Sequence, residues 1–406
     1  MASGNQNRTS PFRPHRSLAM LLIIGALAII GIGVVFFEAD ESDDPDDRAV
    51  AATPSPTHTA TSDATEEPPA ATNSPTEEPT ETPPPPTATA TASPTNIPPT
   101  ETPTPEPTAT SAPSCETGCV DVGVTLEEFP GPMRVINEYG DLVGRMPDMV
   151  MFFQAWGDDD AEFKEWLPDL AELGVEPLIT WEPWVRDEFL NQQTYTLESI
   201  LNGDHDAYID DWAQRSAAHD GTIYLRFAHE MNSPPGEVYW YPWQGDPETY
   251  IAAWRYVHDR FTAAGADNVE WVWSVAWMNL DSELYYPGDE YVDWVAMTVL
   301  NFGETVDEPG WMSFSDLYID QELRASSFGK PVMISELGSA EQSGDKAEWI
   351  RDLGESLQTE FPEIGAIIWN NYSAARHVPD ANWSVQSSPE ALEAWRDVMS
   401  SAYFTR

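Results

Sequence analysis

Eight short runs of β-branched and aromatic residues recur between residues 119 and 372, each followed by a loop and a helical pattern. They cover residues 119–126, 148–156, 175–184, 222–230, 269–277, 292–300, 331–338 and 366–372. Strands that alternate with helices pair in parallel, because the crossover helix returns the chain to the same end of the sheet. Eight such units predict one α/β domain over residues 115–406, a (β/α)8 TIM barrel whose active site gathers at the C-terminal strand ends. In PETYIAAWRYVHDRF, Tyr250, Trp254, Val257 and Phe261 recur on one helical face, and that face is expected to pack on the barrel.

The chain before this domain cannot fold the same way. All 17 tryptophans lie beyond residue 115, whereas residues 38–114 hold half of the 36 prolines and no aromatic residue. Such a Pro/Thr/Ala/Glu-rich segment buries too little apolar surface to offset its ordering entropy, so it is expected to be a disordered stalk. Extended at roughly 3 Å per residue, it would reach on the order of 200 Å. Residues 18–37 carry no charge over 20 positions, which suits a transmembrane anchor. Arg8, Arg13 and Arg16 precede the anchor and EADESDDPDD follows it, so residues 1–17 are expected in the cytoplasm and the rest outside. The alternative is secretion after cleavage of a signal peptide.

Nineteen Lys and Arg stand against 69 Asp and Glu, a formal net charge of -50. That charge repels phosphate backbones and excludes nucleic acid as a partner, leaving neutral ligands as the expectation. Cys115 and Cys119 are too few for a disulfide scaffold or a thiolate metal site, and a bridge between them would close only a very small loop. HEMNS at 229–233 lacks the second histidine of HExxH, GDDDAE at 157–162 lacks calcium-loop spacing, and there is no serine nucleophile elbow. No metal or organic cofactor is expected, and the chain is expected to be a monomer.

Two carboxylates close apolar strands, Glu230 in RFAHEMN and Glu336 in VMISELG. Ionised carboxylates there are costly unless they have partners or a task. Period-two alternation would put Tyr224, Arg226, Ala228 and Glu230 on one face, with Arg226 placed to hold a carboxylate ionised. Two carboxyls across a cleft, their pKa values pushed apart, are what glycosidic bond cleavage needs. Trp156, Trp181, Trp184, Trp240, Tyr241, Trp243, Trp277 and Trp369 fall at or near strand ends, where flat rings can bury the C–H faces of sugars. Glu182, between two tryptophans, could bond a sugar hydroxyl or simply cap its loop.

RFAHEMN followed by YWYPW and then ISELG resembles glycoside hydrolase family 26, best known for endo-β-1,4-mannanases, and the likeness spans residues 119–400. The resemblance implies a retaining hydrolase with Glu230 as acid/base and Glu336 as nucleophile. It implies that His229 and Trp240 serve the catalytic subsite, that Arg226 and Asn232 belong to the binding motif, and that Trp369 is a sugar platform. It implies mannan as first substrate, with β-glucan, β-xylan or the cell's own exopolysaccharide as alternatives. A stalked, non-catalytic glycan-binding module is the reading from another class. The family usually ends strand six in a tyrosine near the nucleophile; here Leu300 stands there, unless the register shifts to Asn301 or Phe302.

Overall fold

A computed structural model describes residues 119–404 apart from 159–162, 233–238, 306–309, 343, 374–380 and 402. The expected anchor at 18–37, the stalk at 38–114 and Cys115 lie outside the described residues; Cys119 is disulfide-bonded. Among the described residues no helix is long and apolar enough to cross a membrane.

Eight parallel strands close on themselves in sequence order: β1 (Asp121–Leu126), β2 (Met149–Ala155), β3 (Glu176–Glu182), β4 (Ile223–Phe227), β5 (Val269–Val275), β6 (Trp294–Asn301), β7 (Val332–Ser339) and β8 (Ile364–Asn371). Each lies within or close to a run marked out by the sequence. The helices are α1 (Arg134–Val143), α2 (Phe163–Leu173), α3 (Leu197–Leu201), α4 (Asp206–Ala217), α5 (Pro247–Ala264), α6 (Phe314–Ser327), α7 (Lys346–Thr359) and α8 (Pro389–Met399). One unit departs from the ideal. Between β5 and β6 the chain makes two short 3-10 turns, Ser282–Tyr285 and Asp289–Tyr291, where an α-helix was expected.

Local chemistry sets the helix ends. Asp246 caps α5 by accepting the Thr249 amide at 3.1 Å, Pro247 takes the first position, and Gly265 at φ 76° ends the helix. Tyr250, Trp254, Val257 and Phe261 are all buried, so the predicted face packs as expected.

Strand alternation divides the apolar residues into two bodies. Met149, Met151, Leu178, Tyr224, Val272, Trp294, Ala296, Met333, Ala366 and Ile368 fill the barrel interior. The outward residues join the helices in a separate, larger core. The interior is crowded: a Cβ on Gly123 would come within 2.4 Å of the Ile368 Cδ1. Gly123→Ala is therefore expected to cost about 1–3 kcal/mol through overpacking, read as a lower midpoint of denaturant unfolding.

Candidate active site

Glu336 reaches the barrel mouth through an irregularity. Ile334 pairs with Met297 and Glu336 with Thr298, so β7 spends an extra residue on that step. Ile334 and Leu337 both point into the outer core. Between them, Ser335 meets Ser274 across the interior at 3.0 Å, and Glu336 also turns inward. A bulge of this kind re-aims a side chain, and strict alternation from Met333 would have sent Glu336 outward.

Glu230 arrives by a different route. β4 stops at Phe227, and the chain then passes through Ala228 at φ 42° and Glu230 at φ 53°, left-handed values that cost about 1–3 kcal/mol each for such residues. Ala228 packs in the outer core, so the alternation expected to run from Arg226 through Ala228 to Glu230 is broken. The turn is held from outside: the Glu230 amide donates to the Ser274 carbonyl at 2.8 Å, and its carbonyl accepts from the Gln244 side chain at 2.6 Å.

Arg226 joins the two carboxyls. Its Nη2 donates to Glu336 Oε1 at 2.8 Å and lies 3.9 Å from Glu230 Oε1, while Nη1 donates to Thr180 Oγ1 at 3.2 Å. Thr298 donates to Glu230 Oε1 at 2.8 Å. Glu230 is 2 % exposed, and burial, followed by the charge of Glu336, pushes its carboxyl up to about 8 against the opposing pull of Arg226 and Thr298. The two carboxyls therefore differ in kind: half-buried Glu336 has a counter-ion in contact, whereas the surroundings of Glu230 favour its protonated form.

Around them lies an aromatic wall. The His229 ring is buried against Tyr241 (4.7 Å) and Phe153 (5.8 Å), and burial with the charges of Arg226 and Arg186 lowers its pKa well below the ordinary value. It is thus a neutral imidazole. Trp243 stacks on Tyr241 at 4.6 Å and donates to the His229 carbonyl at 2.7 Å, and Trp184 packs edge-on to both. Trp240 is buried on the same loop, its amide bonded to the Gln244 side chain at 2.8 Å. Trp277 is half-buried after β5. Glu182 faces inward at the end of β3, two steps above Leu178, and Arg186 donates to it at 2.8 Å. Burial pushes its carboxyl up, opposed by that arginine.

Four residues singled out as substrate contacts sit elsewhere. With Leu178 and Thr180 inside, Trp181 must point out; it packs on Trp156 (4.7 Å) and Trp212 (5.1 Å) in the outer core. Trp369 points out for the same reason, between the inward Ile368 and Asn370, with Trp395 at 4.7 Å and Trp349 at 6.0 Å. None of these three rings is open to a sugar. Asn232 spends its side chain on the β5 loop, donating to the Trp277 carbonyl (2.7 Å) and Ser282 (2.9 Å) and accepting the Ala276 amide (3.1 Å). Trp369→Ala is accordingly expected to cost about 3–5 kcal/mol of stability, measured by urea unfolding, with glycan affinity unchanged.

A tryptophan that the sequence did not mark lies close to β7. Trp383, beyond β8, forms an apolar patch with Leu300, Phe302, Ala340 and Ala381. Its Cγ and the Leu300 Cδ2 would lie 3.3 and 3.2 Å from a Cβ on Gly338, two residues past Glu336. The register at the end of β6 does not shift: Leu300 pairs with Gly338, Asn301 donates to Ser339 at 3.0 Å, and Phe302 joins the patch. Thr298 could have been read from the inward alternation of β6; Trp383 carried no periodic signal at all.

Comparisons with known proteins agree with this architecture. Residues 180–352 match the profile of Glycosyl hydrolase family 26. Endoglucanase H of Acetivibrio thermocellus is 34% identical over 276 residues, 65% of this chain and 29% of that protein. Mannan endo-1,4-beta-mannosidase A and B of Caldalkalibacillus mannanilyticus is 27% identical over 185 residues, 43% of this chain and 31% of that protein. The chain thus spans less than a third of the length of these relatives. A family 26 beta-mannanase structure from Bacteroides ovatus aligns with a TM-score of 0.50 at 16% identity, covering 71% of this chain and 90% of that one, a likeness of fold. The barrel and its paired strand-end carboxyls thus lie in a domain whose residues 180–352 carry the sequence pattern of glycosyl hydrolase family 26.

Proposed function

We propose that this domain hydrolyses a neutral β-linked polysaccharide with retention, Glu230 acting as acid/base and Glu336 as nucleophile. The observation that carries this is the shared guanidinium. Because one Arg226 nitrogen lies 2.8 and 3.9 Å from the two carboxyls, their nearest oxygens are less than about 7 Å apart. That bound reaches only the bottom of the ~6.5–9.5 Å spacing of inverting pairs and leaves the ~5–5.5 Å of retaining pairs open. Glu230, still protonated at neutral pH, would protonate the leaving oxygen while Glu336 attacks the anomeric carbon. A water activated by Glu230 then releases the sugar. The chain's own side chains supply each of these roles.

Mannan is the first substrate on family grounds. A second reading, β-1,4-glucan, draws on the likeness to Endoglucanase H. Residues 18–37 would tether the domain to the cell membrane, with residues 38–114 as its stalk. The test incubates the full chain with mannan, glucomannan, mixed-linkage glucan and xylan, assays new reducing ends, and follows the first-formed anomer by NMR. Release of the β-anomer supports the reading. Release of the α-anomer overturns retention, and binding to a polymer without release favours a stalked glycan-binding module.

A further inference from the structure

Glu336 has a second oxygen, and its partner comes from the other side of the barrel. Asn370 lies on β8 in phase with the inward Ala366 and Ile368, and its Nδ2 donates to Glu336 Oε2 at 3.4 Å. The Asn370 carbonyl oxygen accepts from Thr125 Oγ1 at 3.2 Å, and Thr125 is the direct neighbour of Asn370 in the β1–β8 pairing. Both side chains are buried. Tyr372, at the end of β8, bonds to Thr125 and lies within the field of Glu336, which together with burial raises its phenol. On the opposite flank, where β6 could offer a hydroxyl, Leu300 closes an apolar patch instead.

We propose that Asn370, oriented by Thr125, is the positioning residue that fixes the attack direction of Glu336, so that β8 and β1 supply the constraint that Leu300 on β6 does not. This rests on the assignment of Glu336 as nucleophile. The physical reason is division of labour between the two oxygens. Arg226 holds Oε1 in a charge-assisted bond, which fixes one point of the carboxylate but leaves rotation about that point free. A second bond at Oε2 removes the rotation. Thr125 in turn fixes the amide of Asn370 so that its NH2, and not its oxygen, faces Glu336; the reversed amide would set two acceptors against each other. Geometry held within about 10–20° is what a near-attack arrangement requires.

The step that isolates this role uses an activated leaving group, which needs no protonation by Glu230. The probes are 2,4-dinitrophenyl 2-deoxy-2-fluoro-β-mannobioside and the corresponding cellobioside. A Glu336 oxygen bonds to the anomeric carbon while the bond to the dinitrophenolate oxygen breaks, and the phenolate departs with the electron pair. The full chain is compared with Asn370→Ala and the near-isosteric Thr125→Val. Labelling is followed by phenolate release and intact mass, saturation with probe separates the rate constant from binding, and the melting temperature reports the fold. In Asn370→Ala the limiting labelling rate should fall at least about tenfold, and in Thr125→Val about threefold, with half-saturation within about twofold of the parent. Slower labelling with binding and melting temperature retained supports the proposal. Parent-like labelling in either variant overturns it, as does slower labelling that merely tracks a lower melting temperature. Failure of the parent chain to be labelled by either probe, or to cleave any polymer, would instead strike the nucleophile assignment itself.

Discussion

Glu336→Ala is expected to lower kcat on the polymer by on the order of 10⁵-fold, because it removes the atom that would bond to the anomeric carbon. The loss has a second component that must be separated from the first. Arg226 is fully buried and donates to Glu336 at 2.8 Å, so the variant strands a guanidinium whose remaining carboxyl partner lies 3.9 Å away. Breaking a buried pair this way costs about 3–5 kcal/mol of stability, and a lower melting temperature should accompany the loss of rate. Azide tells the two components apart. It is small enough for the vacated space and supplies the missing negative charge. With a dinitrophenyl β-glycoside it should restore turnover and yield the α-glycosyl azide, since it attacks from the face that Glu336 occupied. Rescue by azide in a folded variant marks the nucleophile. Activity above about 1% of the parent without azide would remove Glu336 from that role.

The barrel was legible because its signal is periodic and repeated eight times, and no single run had to be read correctly for the count to emerge. The mouth was less so, because the chain leaves regular geometry where it places its carboxyls. Alternation brought Glu230 inward for the wrong reason: β4 ends at Phe227, and two left-handed residues, not a continuing strand, carry the side chain back. The bulge at Ser335–Glu336 has no residue signature either. At Trp181 and Trp369 the expectation gives way for the opposite reason, since regular geometry did hold there. Counting inward positions from Leu178 or Ile368 puts Trp181 and Trp369 on the helix side, and the same count would have found Thr180, Glu182 and Asn370 facing in. Aromatic density at strand ends marks the outer core here as much as the cleft. Trp383 and Gln244 are placed by loop geometry, which no spacing encodes.

The proton on Glu230 makes the pH profile the other large effect. With the carboxyl pushed up to about 8, the acid is loaded across neutral pH, and kcat/KM on the polymer should fall as the pH rises through that value. Thr298 favours the ionised form through its 2.8 Å bond, so Thr298→Val should move the basic limb to higher pH. Glu230→Ala should lose about 10²–10⁴-fold on the polymer, yet far less on a dinitrophenyl glycoside whose leaving group needs no proton, and its basic limb should vanish. The same shift makes a claim on stability. A carboxyl whose folded pKa lies above its unfolded value contributes stability that is complete below about 4.5 and is lost as pH rises through about 8. Glu230→Gln keeps the neutral shape at every pH, so it should melt near the parent at pH 4 and above it at pH 9. A basic limb that persists unchanged in Glu230→Ala, or a glutamine variant that melts no higher than the parent at pH 9, would mean that another group carries the proton. The acid/base role would then leave Glu230.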